Sequence, residues 1–211
     1  MATFQVQVED MVGTVETSVG SGSSDTTAIT SWLQDGAKEV TNALPSNLLI
    51  LCSAEQTFTP TAVGSEAETL NTGKIFNVRR NDGTIDQPCR MILSNEKGRA
   101  SDQHDMEYAT ATDPVYYIEN NLINILPSSS SAVGKYSEVQ YPAVAYGDSA
   151  IARFPDEAEY LVVLYAAIKA VERLSSNYNA DEDPEMAKAR ESQYGWLENQ
   201  YNKGLQILRG Q

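Results

Sequence analysis

The sequence predicts an α+β fold, a helical bundle with an inserted small antiparallel β-module. Three observations predict it. Apolar residues recur at helical spacing near both ends of the 211-residue chain. The stretch from about 56 to 145 breaks into short runs rich in tyrosine and β-branched residues, separated by turn signals. Residues 154–174, "FPDEAEYLVVLYAAIKAVERL", are too apolar in their first half to leave a wet face. The chain therefore divides into N-terminal helices over 1–55, the β-module over 56–150, and central and C-terminal helices over 151–211 that complete the bundle.

The elements follow in order. In "FQVQVEDMVGTV", Phe4, Val6 and Val8 alternate as in a strand, while Val8, Met11 and Val12 fit a helical face, and the helix is preferred. Residues 18–25, "SVGSGSSD", read as a Gly/Ser loop. In "DTTAITSWLQDGAKEVTNAL", Ile29, Trp32, Leu33, Gly36, Ala37, Val40, Ala43 and Leu44 form an amphipathic stripe that Asp25, Thr26 or Thr27 can cap and Pro45 ends. "SNLLILCSAEQTFTPTA" reads as a short helix leading into a strand. The strands of the module are "GKIFNVRRN", "QPCRMILS", "DPVYYIENN", "LINILPS" and "YSEVQYPAVA", with "NDG" a turn and "ENN" a tight hairpin turn. "NEKGRASDQ" is a helical or looped excursion, and "SSSSAVG" an exposed hairpin tip.

The last third returns to helix. Pro155 with Asp156, Glu157 and Glu159 suits a helix start, and from Tyr160 to Ala170 the only charge is Lys169. Leu161, Val162, Tyr165 and Ile168 are accordingly the core hub. A loop, "SSNYNADEDP", separates this helix from one that starts at Pro184 and carries Met186, Ala189, Tyr194, Trp196, Leu197, Tyr201, Leu205 and Leu208 at mixed spacings.

A formal net charge of -14, with 29 acidic residues against 15 basic, opposes a surface that grips nucleic acid phosphates but not one that lets DNA pass. The longest apolar run, Tyr160 to Ile168, is short of the roughly 20 residues a membrane helix needs. No basic region followed by an apolar stretch marks a signal peptide, so synthesis in a cytoplasm is expected. Cys52 and Cys89 read as core thiols. His104 beside Asp105 has no accompanying nucleophile motif and reads as a surface residue. Asn177, Asn179, Asp181 and Asp183 alternate as in a calcium loop, but Glu182 and Lys188 stand where such a loop needs Gly and Glu. In "RRNDG", Arg79 and Arg80 invite a phosphate or a carboxylate; an exposed hairpin end or a subunit salt bridge is the simpler reading. "GSGSS" lacks the lysine and the strand–helix context of a phosphate loop. No catalytic residue, metal or cofactor is expected, and the chain does not read as an enzyme.

The order of elements carries a resemblance. The helix "TSWLQDGAKEVTNALPSNLL", a β-module ending "IENNLINILPS" and "YSEVQYPAVA", and "FPDEAEYLVVLYAAIKAVERL" before a long last helix together resemble the head-to-tail adaptor (connector, neck) proteins of tailed bacteriophages, over roughly residues 25–205. The resemblance implies a virion structural protein that forms a homo-oligomeric ring of about twelve subunits. The portal protein would sit above it and a tail or nozzle protein below, with DNA passing through the channel without sequence-specific binding. It implies portal contact on the last helix and tail, where Trp196, Tyr201, Leu205, Ile207, Leu208 and Arg209 are candidates; packing of Trp196 and Leu205 on the hub is the competing reading. Acidic residues facing the channel would repel DNA phosphates. The alternatives are another virion ring, such as a tail terminator or tail tubular protein, or a host-glycan-binding module using Tyr116, Tyr117 and Tyr146.

Overall fold

A computed structural model describes residues 2–12, 23–60, 68–180 and 184–210. Its helices and sheets make an α+β fold in two compact units: Met1–Cys52 with Tyr141–Gln211, and Ser53–Gln140. The first unit is helical, with α1 (Phe4–Val12), α2 (Ser23–Ala43), α3 (Ser46–Leu49), α5 (Asp156–Ala180) and α6 (Pro184–Arg209).

Helix α5 is the centre of the helical unit. Ala158, Leu161 to Leu164, Ala166 to Ile168, Ala170, Val171 and Leu174 are all buried, which uses nearly every azimuth of the helix. Helices α1, α2 and α6 all pack against it. Helix α1 presents Phe4, Val8 and Val12, one face at four-residue spacing, and α2 presents Ile29, Leu33, Ala37 and Val40, with buried Leu44 just past its end. Two glycines set the approach distance. A Cβ at Gly36 of α2 would stand 2.9 Å from the Tyr165 ring, and one at Gly204 of α6 would overlap the Leu161 side chain. Arg173 lies over the Trp32 ring at 5.9 Å and adds a further contact between α2 and α5.

Helix α5 runs to Ala180, through the first part of the expected "SSNYNADEDP" loop, because its last turns have a partner: Ser175 and Glu172 face Glu191 and Tyr194 of α6 across a shared cleft. Tertiary packing outweighs the low helix propensity of serine and asparagine there. Asp181–Asp183, half of the calcium-loop pattern, and Gly20–Gly22 of "GSGSS" lie outside the described residues. Helix α2 starts at Ser23, inside the expected Gly/Ser loop. Residues 141–150 belong with the helices rather than the β-module: the Asp148 and Tyr146 carbonyls accept from Phe4 N (2.8 Å) and Gln5 N (3.0 Å), pairing two of the N–H groups that a helix start leaves open.

Among the described residues the second unit holds eight strands, β1 (Ser53–Phe58), β2 (Glu68–Thr69), β3 (Ile75–Asn81), β4 (Asp86–Pro88), β5 (Arg90–Met91), β6 (Val115–Glu119), β7 (Leu122–Leu126) and β8 (Val133–Val139), with a short helix, α4 (Lys97–Ser101), before β6. They form two four-stranded sheets, β1-β8-β3-β4 and β2-β7-β6-β5. All pairs are antiparallel except β5–β6, which is parallel and departs from the all-antiparallel expectation. The reason is a corner at Cys89. Its N–H still bonds the Val78 carbonyl of the first sheet (2.8 Å), while Arg90 N already bonds Pro114 of the second (2.9 Å), so one strand serves both edges. "ENN" makes the β6–β7 hairpin turn, with Asn120 and Asn121 at φ 53° and 62°. "SSSSAVG" is no hairpin tip, since β7 and β8 lie in different sheets and Ala132 and Gly134 are buried.

Alternation assigns the faces. Val78, Ile123, Ile125 and Tyr136, joined by Leu70, fill the space between the sheets, with Phe58 edge-on to Tyr136 at 5.9 Å. Val115, Tyr117 and Leu126 point the other way, onto Ile92, Ala100 and Ala109 of the excursion around α4. Ser53 pairs with Val139, so the β unit begins and ends at neighbouring backbone positions. Buried Glu138 anchors the 72–74 loop, its Oε1 accepting from Thr72 N (2.6 Å) and Gly73 N (2.9 Å).

Two predictions rest on this packing. Gly36→Ala would normally favour a helix by up to about 1 kcal/mol; here it is expected to destabilise by about 1–3 kcal/mol through collision with Tyr165, whereas Gly195→Ala on α6, where a Cβ meets nothing within 4 Å, is expected to stabilise. Urea unfolding of the two variants reads both signs. Glu138→Ala is expected to cost about 1–3 kcal/mol, since the acceptor of two backbone donors is lost; an unchanged urea midpoint would show that the loop does not depend on it.

Candidate interaction surface

Trp196 and Ile207 are eleven residues apart on α6, three turns of an α-helix, and so share one azimuth. They are 55 % and 65 % exposed. Exposed Lys203 lies between them on the same stripe, and Arg209 is exposed at the last position of the helix, away from that stripe. The opposite side of α6 is turned inward, with Ala187, Leu197, Tyr201 and Leu208 buried. The six residues singled out on this helix therefore divide. Trp196, Ile207 and Arg209 face outward, Leu205 is half-buried, and Tyr201 and Leu208 belong to the bundle instead. Of the hub residues, Leu161, Val162 and Ile168 are buried, and Tyr165 is half-buried beneath Gly36.

Tyr201 is fixed on two sides. Its ring lies 6.0 Å from that of Tyr165, and its hydroxyl donates to Glu39 Oε1 of α2 at 2.9 Å. Burial, and next the hydrogen bond to Glu39, push its phenol well above the usual tyrosine range. At the other end of α6, Arg190 Nη1 donates to the Val12 carbonyl (2.6 Å) and Gln193 Nε2 to that of Met11 (2.8 Å). These are terminal carbonyls of α1 that its own hydrogen bonds leave open, and a cation suits the negative end of the helix. Neither Lys203 nor the Arg190–Gln193 cap was marked by the sequence pattern, since both sit among polar residues without periodic signal.

The chemistry elsewhere is limited. The cleft between α5 and α6, about 150 Å³, is lined by Glu172, Ser175, Glu191 and Tyr194, with Lys169 bonded to Glu172 at 2.9 Å. Among the described residues no three His, Cys, Asp or Glu side chains are grouped to hold a metal ion. His104 is exposed, and its neighbour Asp105 accepts from Arg99 at 3.1 and 3.3 Å rather than orienting the imidazole; Arg99 holds the Asp105 carboxyl below its usual range. Burial pushes the thiol of Cys52 up to about 11 and that of Cys89 up to about 12, which leaves both unreactive at neutral pH. Of the three tyrosines considered for glycan stacking, Tyr117 is buried, Tyr116 packs between the sheets, and Tyr146 is exposed. Arg79 lies on the outer face of its sheet, paired with Glu55 and Asp86, while Arg80 turns inward and is buried, against the reading of an exposed hairpin end.

The sequence matches no protein-family model and no curated protein.

The raised pKa of Tyr201 has a sign. A group that keeps its proton more tightly when folded adds stability that is complete below its unfolded pKa of about 10 and is lost as pH rises toward the folded value. The wild-type protein is expected to lose stability steeply above about pH 10, and Tyr201→Phe to flatten that fall while costing about 1 kcal/mol at neutral pH. Denaturant melts at several pH values measure both; parallel curves for the two proteins would refute it.

Proposed function

We propose that this chain is a virion structural protein, a head-to-tail adaptor that forms a ring between portal and tail and gives DNA a passage during packaging and ejection. The observation that carries the reading is the outward stripe of α6. Two large apolar side chains, Trp196 and Ile207, are held in water beside Lys203, with exposed Arg209 at the last position of the helix, while the side carrying Leu197, Tyr201 and Leu208 is committed to the core. Tryptophan and arginine are favoured anchors of protein interfaces. The resemblance of the element order to phage adaptors names the partner: the portal above, with a tail or nozzle protein below. Neighbouring copies of the chain would complete a ring, in which each subunit meets the next through two different faces.

The charge supports the same reading. A surplus of 14 negative charges per subunit, repeated around a channel, keeps a duplex from adhering to its wall. No helix among the described residues is long and apolar enough to cross a membrane. The proposed location is the phage neck, with assembly from protein made in the host cytoplasm.

Electron microscopy of the protein mixed with its portal tests the assignment. A stoichiometric ring under the portal is the expected result; a ring that binds only tail components would reassign the chain to a terminator or tail tubular protein, and no binding would end the proposal. Trp196→Ala combined with Ile207→Asp is expected to weaken portal binding by at least about thirtyfold and to leave the unfolding midpoint in place. Wild-type affinity in that double variant would remove α6 from the contact.

A further inference from the structure

Arg80 is the one buried cation of the described residues, with 4 % of its surface exposed. The register explains how it came inside. Val78 and Arg80 are two residues apart on β3 and so share a face, and Val78 lies in the cluster between the sheets. Arg79 points the other way and is neutralised there. Arg80 Nε donates to the Pro127 carbonyl at 3.0 Å, and among the described residues the rest of the guanidinium has no acceptor. Nη1 is shielded from water without a partner. Nη2 has none among the described residues either and is not shielded, so the outer edge of the group meets the surface.

What Arg80 lacks among the described residues is an anion, in a chain with nearly twice as many acids as bases. Among the described residues no carboxylate is within ion-pair distance of Arg80, and Glu138, the other buried charged side chain of this unit, keeps an Oε2 that is buried without a partner. Asp86 receives Lys135 at 3.1 Å together with Asn81 and Arg79, Glu55 pairs with Arg79, and Glu138 Oε1 accepts from Thr72 and Gly73. A guanidinium keeps its charge at any pH at which a protein is folded, so burial cannot be relieved by losing a proton as it could for lysine or histidine. A buried cation of this kind is expected to be paired, and its planar fork fits two oxygens of one oxyanion.

We propose that Arg80 is an oxyanion receptor: Nη2, at the edge that meets the surface, takes a carboxylate or phosphate oxygen that the described residues do not supply, with Nε held on Pro127 as the fixed point of the group. The two sources of that chemistry are a small anion in solution and an acidic side chain of a second copy. The Nε–H resonance of Arg80 in the full-length protein reports on both. It is recognised by slow exchange with water, as a shielded N–H bonded to a carbonyl, and by its disappearance in Arg80→Met.

At constant ionic strength set with chloride, a saturable shift of that resonance on adding sodium phosphate or acetate identifies a small-anion site. A shift that follows protein concentration without added anion, together with a sedimentation boundary that moves faster in wild type than in Arg80→Met, identifies a carboxylate of a second copy. Either result is the expected one. Should Arg80→Met fail to fold, the slowly exchanging wild-type resonance carries the test alone. A resonance unmoved by phosphate, by acetate and by protein concentration overturns the proposal.

Discussion

Between Leu161 and Val171, helix α5 turns apolar side chains toward almost every direction, and only Tyr165 and Lys169 reach toward water. Such a helix cannot lie on a surface, because each exposed apolar side chain forfeits on the order of 1.5–3 kcal/mol of burial. It must be enclosed, and three neighbours do this: α1, α2 and α6. The rest of the helical unit follows from this enclosure. Gly36 and Gly204 bring two of the neighbours close enough to leave no gap, and Tyr201 closes the seam between α2 and α6 through Glu39. Once α6 has given its inner face to this task, the chemistry of its outer face is free to be chosen by something other than folding.

The β unit obeys a different constraint. Strands expose alternate side chains to opposite faces, and here one sheet is covered on both sides, by the other sheet and by the excursion around α4. The charges of β3 and β8 are sorted by the same alternation. Arg79, Lys135, Glu55 and Asp86 form a connected set on the outer face, where water moderates their interactions and only a modest contribution to stability is expected. Arg80 and Glu138 fall on the inner face, and each holds to backbone groups rather than to the other.

Much of this was legible in the sequence, for reasons that differ from one element to the next. The stripe of Ile29, Leu33, Ala37 and Val40, the Pro155–Asp156 start and the apolar run of α5 each state a local preference that the packing agrees with. "ENN" and "NDG" likewise specify turns through residues that tolerate positive φ. The end of α5 was not legible, because Ser175 sits in a helical turn that shares a cleft with the partner helix, a contact that local preference does not record. Nor was the division of α6, where mixed three- and four-residue spacing placed Tyr201 and Trp196 on one list although the helix sends them to opposite sides. The orientation of Arg80 depended on a two-residue period whose phase only the pairing with β8 decides. The parallel β5–β6 pair was hidden because it arises from a corner in mid-strand, and residue preferences do not record a change of sheet.

The pairing of Ser53 with Val139 has a further consequence, for the order in which contacts become affordable. The helical unit is assembled from two distant parts of the chain, Met1–Cys52 and Tyr141–Gln211. Bringing them together across an unstructured Ser53–Gln140 would carry the closure entropy of a long loop. A β unit that folds first delivers its own two ends side by side, which shortens the effective loop to a few residues and lowers that cost by roughly 3 kcal/mol. The insertion then acts as a clasp: a sequence-distant bundle gains the search time of a nearly local one, and the long-range contacts of α2 with α5 form as if their helices were neighbours in the chain.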